Sequence, residues 1–127
     1  MKKNLLAVDD ERHMLDLLKS VLESQGYRVF TCDRPTEACQ ILEQHKFDLV
    51  LLDIQMPEKD GFALYREFEA HQHIPVLFVT GHPEAFDGNS EELIRMWKNQ
   101  FSLGRTDILY KPFNKNSLIA AIEVACA

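Results

Sequence analysis

A chain of 127 residues with 46% hydrophobic content and a net charge of −6, from 14 Lys and Arg against 20 Asp and Glu, fits one globular domain with a real core. The acidic balance argues against direct nucleic-acid binding, which needs a basic patch. No apolar run reaches the roughly 20 residues of a membrane span. Three cysteines without CxxC spacing read as reduced thiols rather than a disulfide framework, and the five histidines lack the spacing of a zinc site. Met1-Lys2-Lys3 is followed by too few apolar residues for a signal peptide, so a cytoplasmic protein is expected.

Short apolar runs alternate with helical patterns along the chain. The first run, residues 5–8, is continuous and ends in Asp9, Asp10 and Glu11. Met14, Leu15, Leu18, Val21 and Leu22 then recur at helical spacing, with Gly26 as the stop signal. Residues 29–32 form a more polar run, suited to a sheet edge, and Ala38, Ile41 and Leu42 form a second helical stripe with Pro35 near its first turn. The run at 49–52 ends in Asp53 and is followed by a third stripe, Phe62, Leu64, Tyr65 and Phe68. The run at 76–79 ends in Thr80 and a long Gly- and Pro-containing loop, 81–90. A fourth stripe carries Leu93, Ile94, Trp97 and Phe101, with Asn89 and Glu92 in capping-box positions. The last run, 108–110, leads to Lys111-Pro112 and to a fifth helix, Leu118, Ile119, Ile122 and Ala125, capped by Asn114. Continuous apolar strands separated by helices predict an α/β fold with an open parallel sheet covered on both faces.

Ligands in such folds bind beyond the carboxyl ends of the strands. That edge receives Asp9, Asp10, Asp53, Thr80 and Lys111. Each alone is an ordinary turn former, strand residue or surface charge. Together they form a chemical set. Clustered carboxylates repel one another, and a hard divalent ion with oxygen ligands, Mg2+ or Mn2+, relieves the repulsion. An ammonium and a hydroxyl beside it suit an anion, and an aspartate can be the nucleophile of phosphoryl transfer.

The segments "VDDE" at 8–11, "LLDIQMPEKDG" at 51–61, "VT" at 79–80 and "YKPF" at 110–113 resemble, in order, the receiver domain of two-component response regulators. The likeness covers residues 1–127 as one domain, either stand-alone or part of a longer chain. It implies a doubly wound, flavodoxin-like sheet of five strands in order 2-1-3-4-5 with five helices. It implies that Asp53 accepts a phosphoryl group from a sensor histidine kinase or phosphotransfer protein. Asp10, Asp53 and the backbone carbonyl of Gln55 would bind Mg2+, and Asp9 would act through water. Thr80 and Lys111 would contact the phosphoryl group, the bond before Pro112 would be cis, and Gln55 and His82 would tune dephosphorylation. Met56, Pro57 and Gly61 would shape the loop after Asp53. Output would pass through the surface of the fourth and fifth strands and helices to a partner or fused effector domain. Such a protein is a signalling switch, not a turnover enzyme. It needs no membrane or direct nucleic-acid contact, and a homodimer is compatible with it.

Two departures from the family pattern stand out. The aromatic switch residue expected three positions before Lys111 is Ile108, and Tyr110 does not replace it. The interval between Thr80 and Lys111 is longer than usual, and its helical stripe with Trp97 and Phe101 reads first as packing on the sheet. An interaction module that keeps the fold without phosphorylation is one alternative. A haloacid-dehalogenase-type phosphohydrolase is another, but its second aspartate falls where this chain has Gln55, and no cap domain fits in 127 residues.

Overall fold

The computed structural model describes residues 2–53, 64, 67, 74–80, 106–110 and 113–126. Five strands, β1 (Asn4–Val8), β2 (Arg28–Cys32), β3 (Leu49–Asp53), β4 (Val76–Thr80) and β5 (Thr106–Tyr110), form one parallel sheet in the order β2-β1-β3-β4-β5. Three helices are described in full: α1 (Arg12–Ser24), α2 (Pro35–Gln44) and α3 (Lys115–Cys126). Leu64 and Glu67 are also helical, where the third stripe was expected; the fourth predicted helix lies outside the described residues.

The continuous apolar runs follow from burial on both faces. Leu6 and Val8 of β1, Val50 and Leu52 of β3, and Val76 and Phe78 of β4 pack with Ala38 and Leu42 of α2, Phe47 and Leu64. The intervening residues, Leu5, Ala7, Leu49, Leu51, Leu77 and Val79, pack on the other face with Leu15, Leu18 and Leu22 of α1 and Leu118, Ile122 and Ala125 of α3. Successive side chains of a strand point to opposite faces, so a strand covered on both sides has no polar alternation to show. Each buried Leu or Phe stabilises the fold by about 1.5–3 kcal/mol relative to exposure.

The helix ends follow their sequence signals. Gly26 adopts φ +96°, and the Gly26 and Tyr27 N–H groups donate to the carbonyls of Glu23 and Leu22, closing α1 with a left-handed cap. Pro35 begins α2, where its missing N–H is not needed. The Ser117 N–H donates to Asn114 Oδ1 at 2.7 Å, so Asn114 caps α3 as its spacing predicts. Replacing Asn114 with Ala should lower unfolding free energy by about 1 kcal/mol in a urea titration. An unchanged midpoint would mean the cap is dispensable.

β2 lies at the edge, as its polarity predicts. Asp53 and Thr80 are the last residues of their strands rather than the first beyond them. β5 begins earlier than its apolar run, because the backbone of Thr106 and Asp107 continues the pairing with Val76 and Leu77.

Candidate functional site

All five strands run the same way, so their carboxyl ends share one edge. Val8 pairs with Leu52, which sets the next residues, Asp9 and Asp53, side by side on neighbouring strands. Asp53 in turn pairs with Val79, one residue before Thr80, and Thr80 pairs with Tyr110, one residue before Lys111. Strand register therefore brings Asp9, Asp53 and Thr80, far apart in sequence, to one edge.

Asp9, Asp10 and Asp53 each present a carboxylate oxygen, and the three lie within 4.8 Å of one another. Their settings differ. Asp9 is 2% exposed and Asp53 6%, whereas Asp10 is exposed. Asp9 is fixed by the main chain at two points. Its N–H donates to the Cys32 carbonyl at 3.1 Å, extending the β1–β2 ladder by one step. Its Oδ1 accepts the Glu11 N–H at 2.9 Å, which tightens the turn into α1. Glu11 is the N-cap residue of α1, yet its side chain makes no capping hydrogen bond.

The donor set fits a small hard cation. Two oxygens bound directly to one Mg2+ at about 2.1 Å can be at most about 4.2 Å apart. A span of up to 4.8 Å accommodates two direct ligands with the third reached through water. Burial beside like charges is costly without such a cation. The positive end of the α1 dipole faces the same edge and offsets part of that cost.

At the β2 flank, the Cys32 thiol donates to the Arg34 carbonyl at 2.9 Å. Burial pushes this thiol up from its ordinary value, with Glu37 and Asp33 adding to the shift and the Arg34 hydrogen bond opposing it. Arg12, the first residue of α1, pairs with Asp33 at 3.8 Å.

Of the residues predicted for this site, Asp9, Asp10 and Asp53 are brought together. Thr80 ends β4 at the same edge, and Ile108 lies within β5 opposite Phe78. Gln55, Met56, Pro57, Gly61, His82, Lys111 and Pro112 lie outside the described residues. Sequence reading missed the Arg12–Asp33 pair and the Asp9–Glu11 turn. An aspartate two residues before a helix N-cap was the available signal for the second; nothing in the sequence separates the first from ordinary surface charge.

A family model described as response regulator receiver domain matches residues 5–123. The chain is 32% identical over 123 residues to the response regulator GtcR of Aneurinibacillus migulanus, covering 97% of this chain and 47% of that protein. It is 35% identical over 119 residues to a CpxR homolog, a transcriptional regulatory protein of Haemophilus influenzae, covering 94% and 48%. The chain thus spans about half the length of these curated relatives. Among solved structures, a receiver domain protein from Clostridium thermocellum superposes with a TM-score of 0.80 at 30% identity, covering 98% of this chain and 94% of the other. The chemotaxis protein CheY4 of Vibrio cholerae gives 0.76 at 25% identity, with 97% and 98% covered. Among the described residues, no helix is long and apolar enough to cross a membrane.

Proposed function

The chain belongs to the response regulator receiver domain family, and on that premise we propose that it is a phosphorylation-controlled switch whose phosphoacceptor is Asp53. The observation that carries the residue assignment is the meeting of Asp9, Asp10 and Asp53 within 4.8 Å at the carboxyl edge of the sheet. Asp53 is the carboxylate best placed as nucleophile. It ends the central strand, is 6% exposed, and has the two other acids beside it to hold a cation.

In this reading Asp10, Asp53 and the backbone carbonyl of Gln55 hold Mg2+ (or Mn2+), with Asp9 acting through a water. The bound ion supplies charge neutralisation for the carboxylates and the transferring group. An Asp53 oxygen forms the bond to phosphorus while the bond from phosphorus to the donor nitrogen of a histidine kinase or phosphotransfer protein breaks. Asp9, held by the Glu11 N–H and the Cys32 carbonyl, keeps the acidic turn in register with β3. Thr80 and Lys111 receive the phosphoryl oxygens, a cis bond before Pro112 aims the lysine, and Gln55 and His82 set the lifetime of the product. Ile108 stands where an aromatic switch is usual, so readout proceeds through the 80–110 region without an aromatic rotor.

Residues 1–127 act as one receiver unit in the cytoplasm. Its output reaches a partner or an effector domain through β4, β5, the segment between them and α3, with a homodimer as one form. The greater length of the relatives supports an effector on a longer chain.

Incubating the protein with Mg2+ and acetyl phosphate and measuring intact mass tests the reading. One phosphoryl adduct is expected. Phosphate released over many turnovers would indicate a phosphohydrolase instead. No adduct, together with no binding of beryllofluoride, would indicate an interaction module that does not use phosphorylation.

A further inference from the structure

Arg12 and Asp33 have no part in the roles above. The Arg12 Nη1 lies 3.8 Å from Asp33 Oδ2, and the side chains are 64% and 48% exposed. The pair nevertheless borders the acidic site. Arg12 is two residues beyond Asp10, so their Cα atoms are at most about 7 Å apart. Asp33 directly follows Cys32, whose carbonyl accepts the Asp9 N–H. Two other described cations at helix starts on this edge are placed differently. Arg34 precedes α2 and lies 4.0 Å from Glu37 of that helix, and Lys115 opens α3, beyond the opposite edge strand.

An exposed ion pair contributes little to stability, so the position of this one matters more than its strength. A phosphodonor reaching Asp53 brings negative charge to an edge that already carries three carboxylates. Arg12 is a cation on the turn that carries two of them, and Asp33 cancels part of its field. We propose that Arg12 is a specificity-determining residue that favours highly charged phosphodonors, and that Asp33 restrains it. The assignment rests on the reading of Asp53 as phosphoacceptor. With acetyl phosphate, an Asp53 oxygen forms the new bond to phosphorus as the phosphorus–oxygen bond to the acetyl group breaks, and the electron pair leaves with acetate. Arg12 takes no part in that bond exchange and acts on the approach of the donor.

The test uses the full chain, Arg12→Gln and Asp33→Asn, with adduct formation followed by intact mass at low and high salt. Acetyl phosphate serves as the dianionic donor and phosphoramidate as the monoanionic one. Calorimetry gives Mg2+ affinity, and metal-free melting checks the fold. At low salt Arg12→Gln should slow acetyl phosphate by about threefold, and Asp33→Asn should speed it by a similar factor. Both changes should be smaller with phosphoramidate and should fade at high salt. Mg2+ affinity should move oppositely, tighter in Arg12→Gln and weaker in Asp33→Asn. Rates that shift in the same direction in both variants, that shift equally for both donors, or that do not shift would overturn the assignment while leaving Asp53 as acceptor. A wild type that forms no adduct with either donor would bring down the phosphoacceptor reading and this assignment with it.

Discussion

The Asp10→Asn variant is expected to lose Mg2+-dependent phosphorylation while its metal-free fold becomes slightly more stable than the wild type. Asp10 is the exposed member of three carboxylates whose oxygens gather within 4.8 Å. As a direct metal ligand it should matter at least as much as outer-shell groups do, so adduct formation should fall by about 100-fold or more. Removing one of three like charges relieves repulsion in the metal-free protein. Because Asp10 is exposed and screened, the gain is small, a rise in melting temperature of about 2–4 °C. Saturating Mg2+ should raise the wild-type melting temperature by mass action and leave the variant nearly unmoved. Melting curves with and without Mg2+ separate these effects. A variant that still gains stability from Mg2+ would remove Asp10 from the ligand set.

A second large effect is expected in the core directly beneath the acidic edge. Phe78, 1% exposed, sits in β4 between Leu52 of β3 and Ile108 of β5 in the strand register. It is among the largest fully buried side chains described, packed on the α2 face. Truncation to Ala removes its buried area and leaves a cavity that rigid neighbouring strands cannot close, at about 3–5 kcal/mol. Small domains have only about 5–15 kcal/mol in total, so Phe78→Ala should be partly unfolded or close to it at physiological temperature. Val124→Ala is the control. Its side chain is 69% exposed, and its unfolding free energy from a urea titration should stay within about 0.5 kcal/mol of wild type. Similar midpoints for the two variants would contradict the two-faced core.

The sheet was legible because its physics is local in sequence. Leu5 to Val8 and Leu49 to Leu52 carry no polar alternation, and that pattern arises only when both faces are covered. The caps at Gly26 and Asn114 were legible because positive φ and an N-terminal side-chain acceptor each favour few residue types. The start of β5 was not, since Thr106 and Asp107 join the sheet by backbone pairing to β4 and leave no apolar trace. At the site, the convergence of Asp9, Asp10 and Asp53 could be read once strands were recognised, because parallel strands deliver their ends to one edge. The local work of Asp9 could not be read so easily. Its burial and its acceptance of the Glu11 N–H distinguish it from Asp10, an identical residue one position away. The Arg12–Asp33 pair depends on β1 and β2 lying side by side in register, which no local pattern encodes.

The central claim is that the carboxylate of Asp53, and no other, becomes an aspartyl phosphate. Borohydride reduces an acyl phosphate to an alcohol, so treating the phosphorylated protein and mapping its peptides reads the site chemically. The account predicts homoserine at position 53 after incubation with Mg2+ and acetyl phosphate, and none there when Mg2+ is omitted or in Asp53→Asn. Homoserine at position 9 or 10, or at no position despite a phosphoryl adduct in the intact mass, would contradict it.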